Sequence, residues 1–436
     1  MESTVVVGLI GLLIFVLLLI MGMSIAGSMT LVGFFGFAYL RNFSAAESLL
    51  TMDFFSSFNS YNMSVVAMFT LMGYIAYYSG IGEQLFDFAY KLVGHWRGGL
   101  AMAAQVACAC FGAVCGSNTA TAATIGAIAL PQMKKYGYND SLATASVASG
   151  GGLGILIPPS MIAIVYGTAT QQSIGKLFIA GIAAGILLML LFMVAISIQI
   201  RMNPSLAPRG ERASWKERFW AMRGGLAETI IVFIVSVGGL SVGFFTPTEA
   251  GSFGAFAILL IVLIRRKITP EGFMHALFDT AKTSAMVLYL VAAATLFGRF
   301  IALSRIPANL ATRAASLDWP SWAVLLLVLG IYILGGCFID ALPLILLTVP
   351  IFYPVVCETL GYDPIWFGVI IVLVVAMGII TPPVGINVYV IKGIAKDVPL
   401  ETIFKGIWPF LLAIIVSCMI LMLFPELVLF LPDLLS

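Results

Sequence analysis

The sequence predicts an all-α polytopic membrane protein made of two inverted-topology repeats, each holding a re-entrant helical hairpin and a helix broken by a Pro-Pro pair. Three observations predict it. Of 436 residues 61% are hydrophobic and 10% charged, and the mean hydropathy of +1.08 lies far outside the usage of soluble domains. Apolar runs near the ~20 residues a bilayer demands recur along the chain. Finally, GILIPPSMI (Gly154 to Ile162) returns as GIITPPVGI (Gly378 to Ile386), an offset of 224 residues (378 − 154).

In chain order, uninterrupted apolar runs extend over Val5 to Gly22, Ser24 to Leu40, Ser60 to Ser79, Ser141 to Tyr166 and Ile174 to Ile200. After a basic stretch they resume over Leu226 to Phe244, Ala250 to Ile264, Ser284 to Leu303, Pro364 to Val390 and Ile403 to Phe424, which predicts roughly ten crossings. The first run has no Lys or Arg ahead of it and no small-residue cleavage pattern, so it reads as a retained helix and not a signal peptide. The 224-residue offset also pairs Gly137-Tyr138 with Gly361-Tyr362, Thr124 with Thr348, Gly112 with Gly336, Arg41 with Arg265 and Glu47 with Glu271. The chain therefore divides into a first repeat over residues 1–200, a basic amphipathic linker over 201–225, and a second repeat over 226–436.

Charge orients the repeats. With Arg201, Arg209, Arg212, Lys216, Arg218 and Arg223 on the cytoplasmic side, five crossings back place the N-terminus outside. Lys91, Arg97, Lys134, Lys135, Arg265, Arg266, Lys267, Lys392 and Lys396 then also fall inside, while the loop with Glu358 and Asp363 falls outside. Five being odd, the second repeat starts from the opposite face. Arg299, Arg305 and Arg313 fall outside against the rule, and a place near substrate or at a membrane interface is expected for them. Arg41 to Met52 and Lys267 to Leu277 read as surface helices, and His95 and His275 as interfacial.

Two further apolar segments are interrupted. Within residues 98–133 the break is Gly116-Ser117-Asn118-Thr119, where Ser117 and Asn118 are suited to cap a half-helix whose free N–H groups lie at membrane depth. Within 322–357 it is Asp340-Ala341-Leu342-Pro343, with Asp340 as cap and Pro343 in the first turn. Each reads as a re-entrant hairpin, and the two enter from opposite faces. Pro158-Pro159 and Pro382-Pro383 cannot donate backbone hydrogen bonds, so carbonyls from Gly154 to Ile157 and from Gly378 to Thr381 are expected to be free for a ligand. Asp340 is the one acid expected well inside an apolar run.

Other chemistries lack their motifs. The cysteines (Cys108, Cys110, Cys115, Cys337, Cys357 and Cys418) sit in apolar segments without C-x-x-C spacing, so they read as buried small residues. Ser173-Ile174-Gly175-Lys176 lacks the upstream Gly of a phosphate loop, and neither H-E-x-x-H nor a nucleophile elbow is present, which argues against an ATPase or a membrane enzyme. Nucleic acid is not indicated. A channel is disfavoured, because inverted repeats with discontinuous helices suit alternating access.

GSNTAT at Gly116, GILIPPS ending at Ser160, the FGR…IP pattern from Phe297 to Pro307 and GIITPPVGIN ending at Asn387 together resemble the large membrane subunit of tripartite ATP-independent periplasmic (TRAP) transporters. The resemblance covers essentially the whole chain. It implies a scaffold with an elevator-type transport domain and sodium-coupled import of an organic acid across the bacterial inner membrane, in which the charge and crossing count above make both termini periplasmic. It also implies a small four-helix membrane subunit, expected as a separate chain, and a periplasmic substrate-binding protein. One sodium ion is placed at Ser117, Asn118, Gly154, Ile157 and Pro159, and a second near Gly336, Asp340, Gly378, Thr381 and Pro383. Thr119, Arg299 and Asn387 are the expected substrate contacts. A stand-alone sodium/carboxylate symporter of a related elevator fold is the alternative.

Overall fold

A computed structural model describes residues 2–210, 213–316 and 319–434, so Arg212 and the Arg313 side chain lie outside the described parts. The first repeat contains α1 (Glu2–Ile20), α2 (Ile25–Leu40), α3 (Phe43–Phe58), α4 (Ser64–Tyr78), α5 (Ile81–Val93), α6 (Gly99–Cys115) and α7 (Asn118–Lys135). It continues with α8 (Asp140–Gly150), α9 (Leu153–Leu156), α10 (Met161–Thr170) and α11 (Ile174–Met202). The linker carries α12 (Trp215–Ala221). The second repeat holds α13 (Ala227–Phe233), α14 (Gly239–Ser241), α15 (Pro247–Ile264), α16 (Pro270–Leu303), α17 (Ile306–Ser316) and α18 (Ser321–Gly336). It ends with α19 (Ala341–Tyr353), α20 (Pro364–Gly378), α21 (Ile386–Ile394), α22 (Leu400–Leu423) and α23 (Glu426–Leu434).

The helices recur in the order the sequence offset demands: α6 with α18, α7 with α19, α8 with α20, α10 with α21 and α11 with α22. A close backbone contact recurs with them. A Cβ on Gly112 would stand 2.7 Å from Gly154 Cα, and one on Gly378 would stand 2.6 Å from Gly336 Cα. In both repeats the first arm of the hairpin thus lies directly on the Pro-Pro-broken helix, a contact only glycine permits. Both Pro-Pro bonds, Pro158-Pro159 and Pro382-Pro383, are cis.

Two packed groups result. Helices α2 and α4 of the first repeat interleave with α15 and α16 of the second, while the hairpins and broken helices pack with α11 and α22. Large apolar side chains such as Leu13, Phe35, Phe278 and Leu326 stay exposed along the outer faces, as lipid-facing surfaces require.

Among the described residues seven helices are long and apolar enough to cross a membrane, or eight if Tyr61–Tyr78 and Ile81–Val93, bent by 70°, form one span. The roughly ten runs read from hydropathy exceed this because an apolar run is not a helix. Pro364 to Val390 is continuous in hydropathy yet splits at Pro382-Pro383 into α20 and α21, and α1 and α2 fall just short of full length.

Three local expectations are corrected. Lys267 to Leu277 is not a separate surface helix, because α16 runs unbroken for 34 residues from Pro270, where the first repeat has α3 and α4 as two helices. The linker is not one separate helix: a 3₁₀ turn covers Pro204–Leu206, and α12, opened by a capping box between Ser214 and Glu217, continues through a π-helical turn over Met222–Leu226 into α13. Asp340 is not alone among acids in apolar surroundings. Asp53 on α3 is buried against Arg299, and Glu228 on α13 is buried between Arg265 (2.7 Å) and Lys267 (2.5 Å). Hydropathy could not pair these acids with bases that lie 37 or more residues away.

Candidate substrate and ion site

The first hairpin turns at Gly116, whose φ of +66° needs glycine. Ser117 follows as the N-cap of α7, its Oγ accepting from Ala120 N at 3.4 Å. Asn118 is the first helical residue and does not cap. It is buried, and its Nδ2 donates to Asn387 Oδ1 at 3.3 Å, while Asn387 Nδ2 donates to Ala148 O at 3.1 Å. Thr119 Oγ1 lies 3.3 Å from Ser117 Oγ.

Against this tip stands the broken helix. A Cβ on Gly116 would meet Pro159 O at 2.4 Å, and one on Gly154 would meet Thr121 Oγ1 at 2.4 Å and Ser117 O at 2.7 Å. Not every carbonyl freed by the prolines faces the tip. Ile155 O accepts from Ser160 Oγ at 2.5 Å, and Leu156 O packs on Gly181 of α11. The Pro159 carbonyl remains, together with Thr121 Oγ1, which is buried without a hydrogen-bond partner among the described residues. An unpaired buried hydroxyl is costly, so this cluster of neutral oxygens suits a small hard cation.

In the second hairpin Asp340 occupies the N-cap position of α19 but makes no capping bond. The reason is local: Pro343 stands where the third N–H of the helix would be, and has none to offer. The carboxylate is released toward the Asn118 side chain, and its Oδ1 is buried without a hydrogen-bond partner among the described residues. Gly336 lies on Gly378. The broken helix here has retaken part of its own backbone: Thr381 N donates to Gly378 O (3.0 Å), Thr381 Oγ1 to Met377 O (2.7 Å) and Asn387 N to Ile379 O (3.1 Å). Pro383 is exposed. The second predicted set is therefore only partly assembled, and Asp340 turns to the first tip.

Both tips open on one cavity of about 830 Å³. Thr119 lines it. Asn387 lies beneath it, fully buried behind Asn118. Arg299 does not reach it, because its Nε holds both oxygens of Asp53 at 3.0 and 2.9 Å. The far wall consists of residues that the sequence reading missed. Tyr78 Oη donates to Asp279 Oδ2 at 2.6 Å, and Tyr74 Oη bonds Thr283 Oγ1 at 2.9 Å. Their signal was present, since Tyr74/Tyr78 and Asp279/Thr283 are each four residues apart, a polar stripe on one face of two apolar helices.

Residues 12–427 match the family described as Tripartite ATP-independent periplasmic transporter, DctM component. The chain belongs to this family. It is 35% identical to the C4-dicarboxylate TRAP transporter large permease protein DctM of Pseudomonas aeruginosa, over 88% of this chain and 89% of the relative. It is 33% identical to the ectoine/5-hydroxyectoine TRAP transporter large permease protein UehC of Ruegeria pomeroyi, over 96% and 97%. The fold is shared with the Alcanivorax borkumensis YdaH transporter, described as having an unusual topology, at a TM-score of 0.54 and 15% identity over 88% of this chain and 86% of that one. As a TRAP large permease the chain is a transport component.

Proposed function

We propose that this permease carries out sodium-coupled import of an organic acid across the bacterial inner membrane, together with a small membrane subunit and a periplasmic binding protein that delivers the solute. The observation that carries the reading is the oxygen cluster of Ser117, Asn118, Thr121 and the Pro159 carbonyl. It offers a monovalent cation hydroxyl, amide and carbonyl ligands with no carboxylate. Sodium is then a co-substrate, and Asp340 serves a second ion. Each charge moved inward gains ~2.3 kcal/mol per 100 mV, so two ions supply roughly 4.6 kcal/mol, enough for a ~10³-fold accumulation of a neutral solute. The C4-dicarboxylate relative supports the acid, and the separate wall of α4 and α16 supports a hairpin-bearing body moving against a scaffold. With loops oriented by charge and both termini periplasmic, Ser24, Tyr78 and Asp279 lie at the cytoplasmic ends of their helices, so the cavity opens inward.

Reconstitution tests this. The chain alone in liposomes is expected to show no uptake, and addition of both partners should restore it in sodium but not in potassium buffer at fixed pH and voltage. Robust transport by the single chain would point instead to a stand-alone symporter. Sodium-independent uptake would replace sodium with a proton carried through Asp340. For orientation, single cysteines at Lys134 and Glu358, in a background lacking native Cys, should label from opposite faces.

A further inference from the structure

The wall facing the hairpin tips has a definite polarity. Among the described residues lining the cavity there are two acids, Asp279 and Asp340, and no Lys, Arg or His. Arg299, the cation that the sequence offered for anion recognition, is spent on Asp53. A solute carboxylate can be received at the tips, where two helices begin and cations gather. Nothing lining the cavity can neutralise a second negative charge.

On α4 and α16 the hydroxyls of Tyr74 and Thr283 bond each other, while Thr70, Tyr77 and Tyr289 also line the cavity. The Tyr78 hydroxyl donates a hydrogen bond to Asp279 Oδ2 and both residues line the cavity, so the Asp279 carboxylate is an acceptor on this wall. A wall that carries a carboxylate and no cation favours a ligand with donors over a second negative charge. The cavity of about 830 Å³ is also far larger than a four-carbon diacid, within the roughly 300–1,000 Å³ that holds a drug-sized ligand.

We infer that Asp279, held by Tyr78, is a specificity-determining residue of the permease itself: it receives the hydrogen-donating end of the solute, a hydroxyl or a protonated amine, and excludes a dicarboxylate dianion. The inference rests on the proposed transport of an organic acid. It adds a second selection step, inside the membrane, to whatever a binding protein has already chosen. Rejection comes from two like charges meeting with no cation between them, and acceptance from a charge-assisted hydrogen bond to Asp279.

The test uses the full chain with its small membrane partner in nanodiscs, in sodium buffer and without the binding protein, so that selection by the latter is absent. Thermal stabilisation is titrated with D-gluconate, a polyhydroxylated monocarboxylate, and with succinate. Wild type is expected to respond to gluconate at concentrations ~10-fold or more below those needed for succinate, the size of one charge-assisted hydrogen bond. Asp279→Asn should remove that ratio by admitting succinate. Tyr78→Phe keeps the charge and should keep the rejection of succinate, which separates electrostatics from a damaged wall. Succinate binding as well as gluconate to wild type, or an Asp279→Asn ratio equal to wild type, overturns the inference while leaving organic-acid transport standing. Stabilisation by neither acid, in a sample that is monodisperse and responds to sodium, overturns both.

Discussion

At the tip of the first hairpin a left-handed glycine, a hydroxyl cap and an amide follow one another from Gly116 to Asn118. At the tip of the second the offset of 224 sets Asp340, Ala341 and Leu342 against them in sequence, and Asp340 takes the N-cap position that Ser117 holds in the first. The scaffold beneath is alike, with glycine pressed on glycine and a Pro-Pro break behind it. The ligand chemistry is not. The first tip assembles uncharged oxygens in a buried spot, whereas the second presents one carboxylate, freed from capping duty by Pro343. A duplicated backbone thus holds two unlike binding chemistries, and Asn118, touching Asn387 and facing Asp340, joins them. The difference teaches that symmetry predicts where a site lies and local sequence predicts what it binds.

The largest effect should come from overfilling the first tip. Gly154→Val drives side-chain carbon into Thr121 and Ser117, and is expected to lower sodium-driven uptake by the three-part system ~100-fold or more, from overpacking of ~3 kcal/mol. Gly330→Ala, which meets nothing within 4 Å, should leave uptake intact. Equal losses from both, at matched expression and monodispersity, would mean that the Gly154 contact is not special.

Next is the residue that joins the tips. Asn118→Ala strands Asn387 Oδ1 and leaves Asp340 facing a void, a cost of ~1–3 kcal/mol that should raise the sodium concentration for half-maximal uptake ~5- to 100-fold. The binding protein's own affinity for solute should not move. An unchanged sodium requirement would detach the first tip from coupling.

Asp340→Asn addresses the charged tip and should act differently. It is expected to reduce the sodium Hill coefficient with a smaller change in the half-maximal concentration, because one of two sites is weakened. If instead it abolishes sodium dependence altogether, the tips are not separate sites.

The smallest effect is expected from Ser117→Ala. Loss of an N-cap is worth ~1 kcal/mol, about fivefold in the sodium titration, and here the cap bond is already long at 3.4 Å. A larger effect than that of Asn118→Ala would identify the hydroxyl as the principal ligand of the first tip.

Much of this was legible in the residues. Gly116-Ser117-Asn118 read as a cap at membrane depth and serves as one through Ser117, while the offset paired Gly112 with Gly336 and Gly154 with Gly378 as repeat positions without showing that each repeat presses its two glycines together. Arg299 misled, because an arginine on an apolar helix looks like an anion receptor until its partner, Asp53, arrives from a helix 246 residues earlier. Asp279 went unmarked, since four-residue spacing on α16 gains meaning only once Tyr74 and Tyr78 on α4 lie opposite.

By itself, then, the sequence determined that the chain lives in lipid, that it is a duplication, and where its helices must break, because hydropathy, glycine and proline act within one or two turns of the residue that carries them. The tertiary structure alone decided which polar groups are spent and which remain available. Glu228 goes to Arg265 and Lys267, Arg299 to Asp53, and Asn387 to Asn118, whereas Asp279 and Asp340 are left facing one cavity. That division rests on which distant side chains meet. In a medium with no water to satisfy the losers, each such pairing settles what is left to bind a ligand.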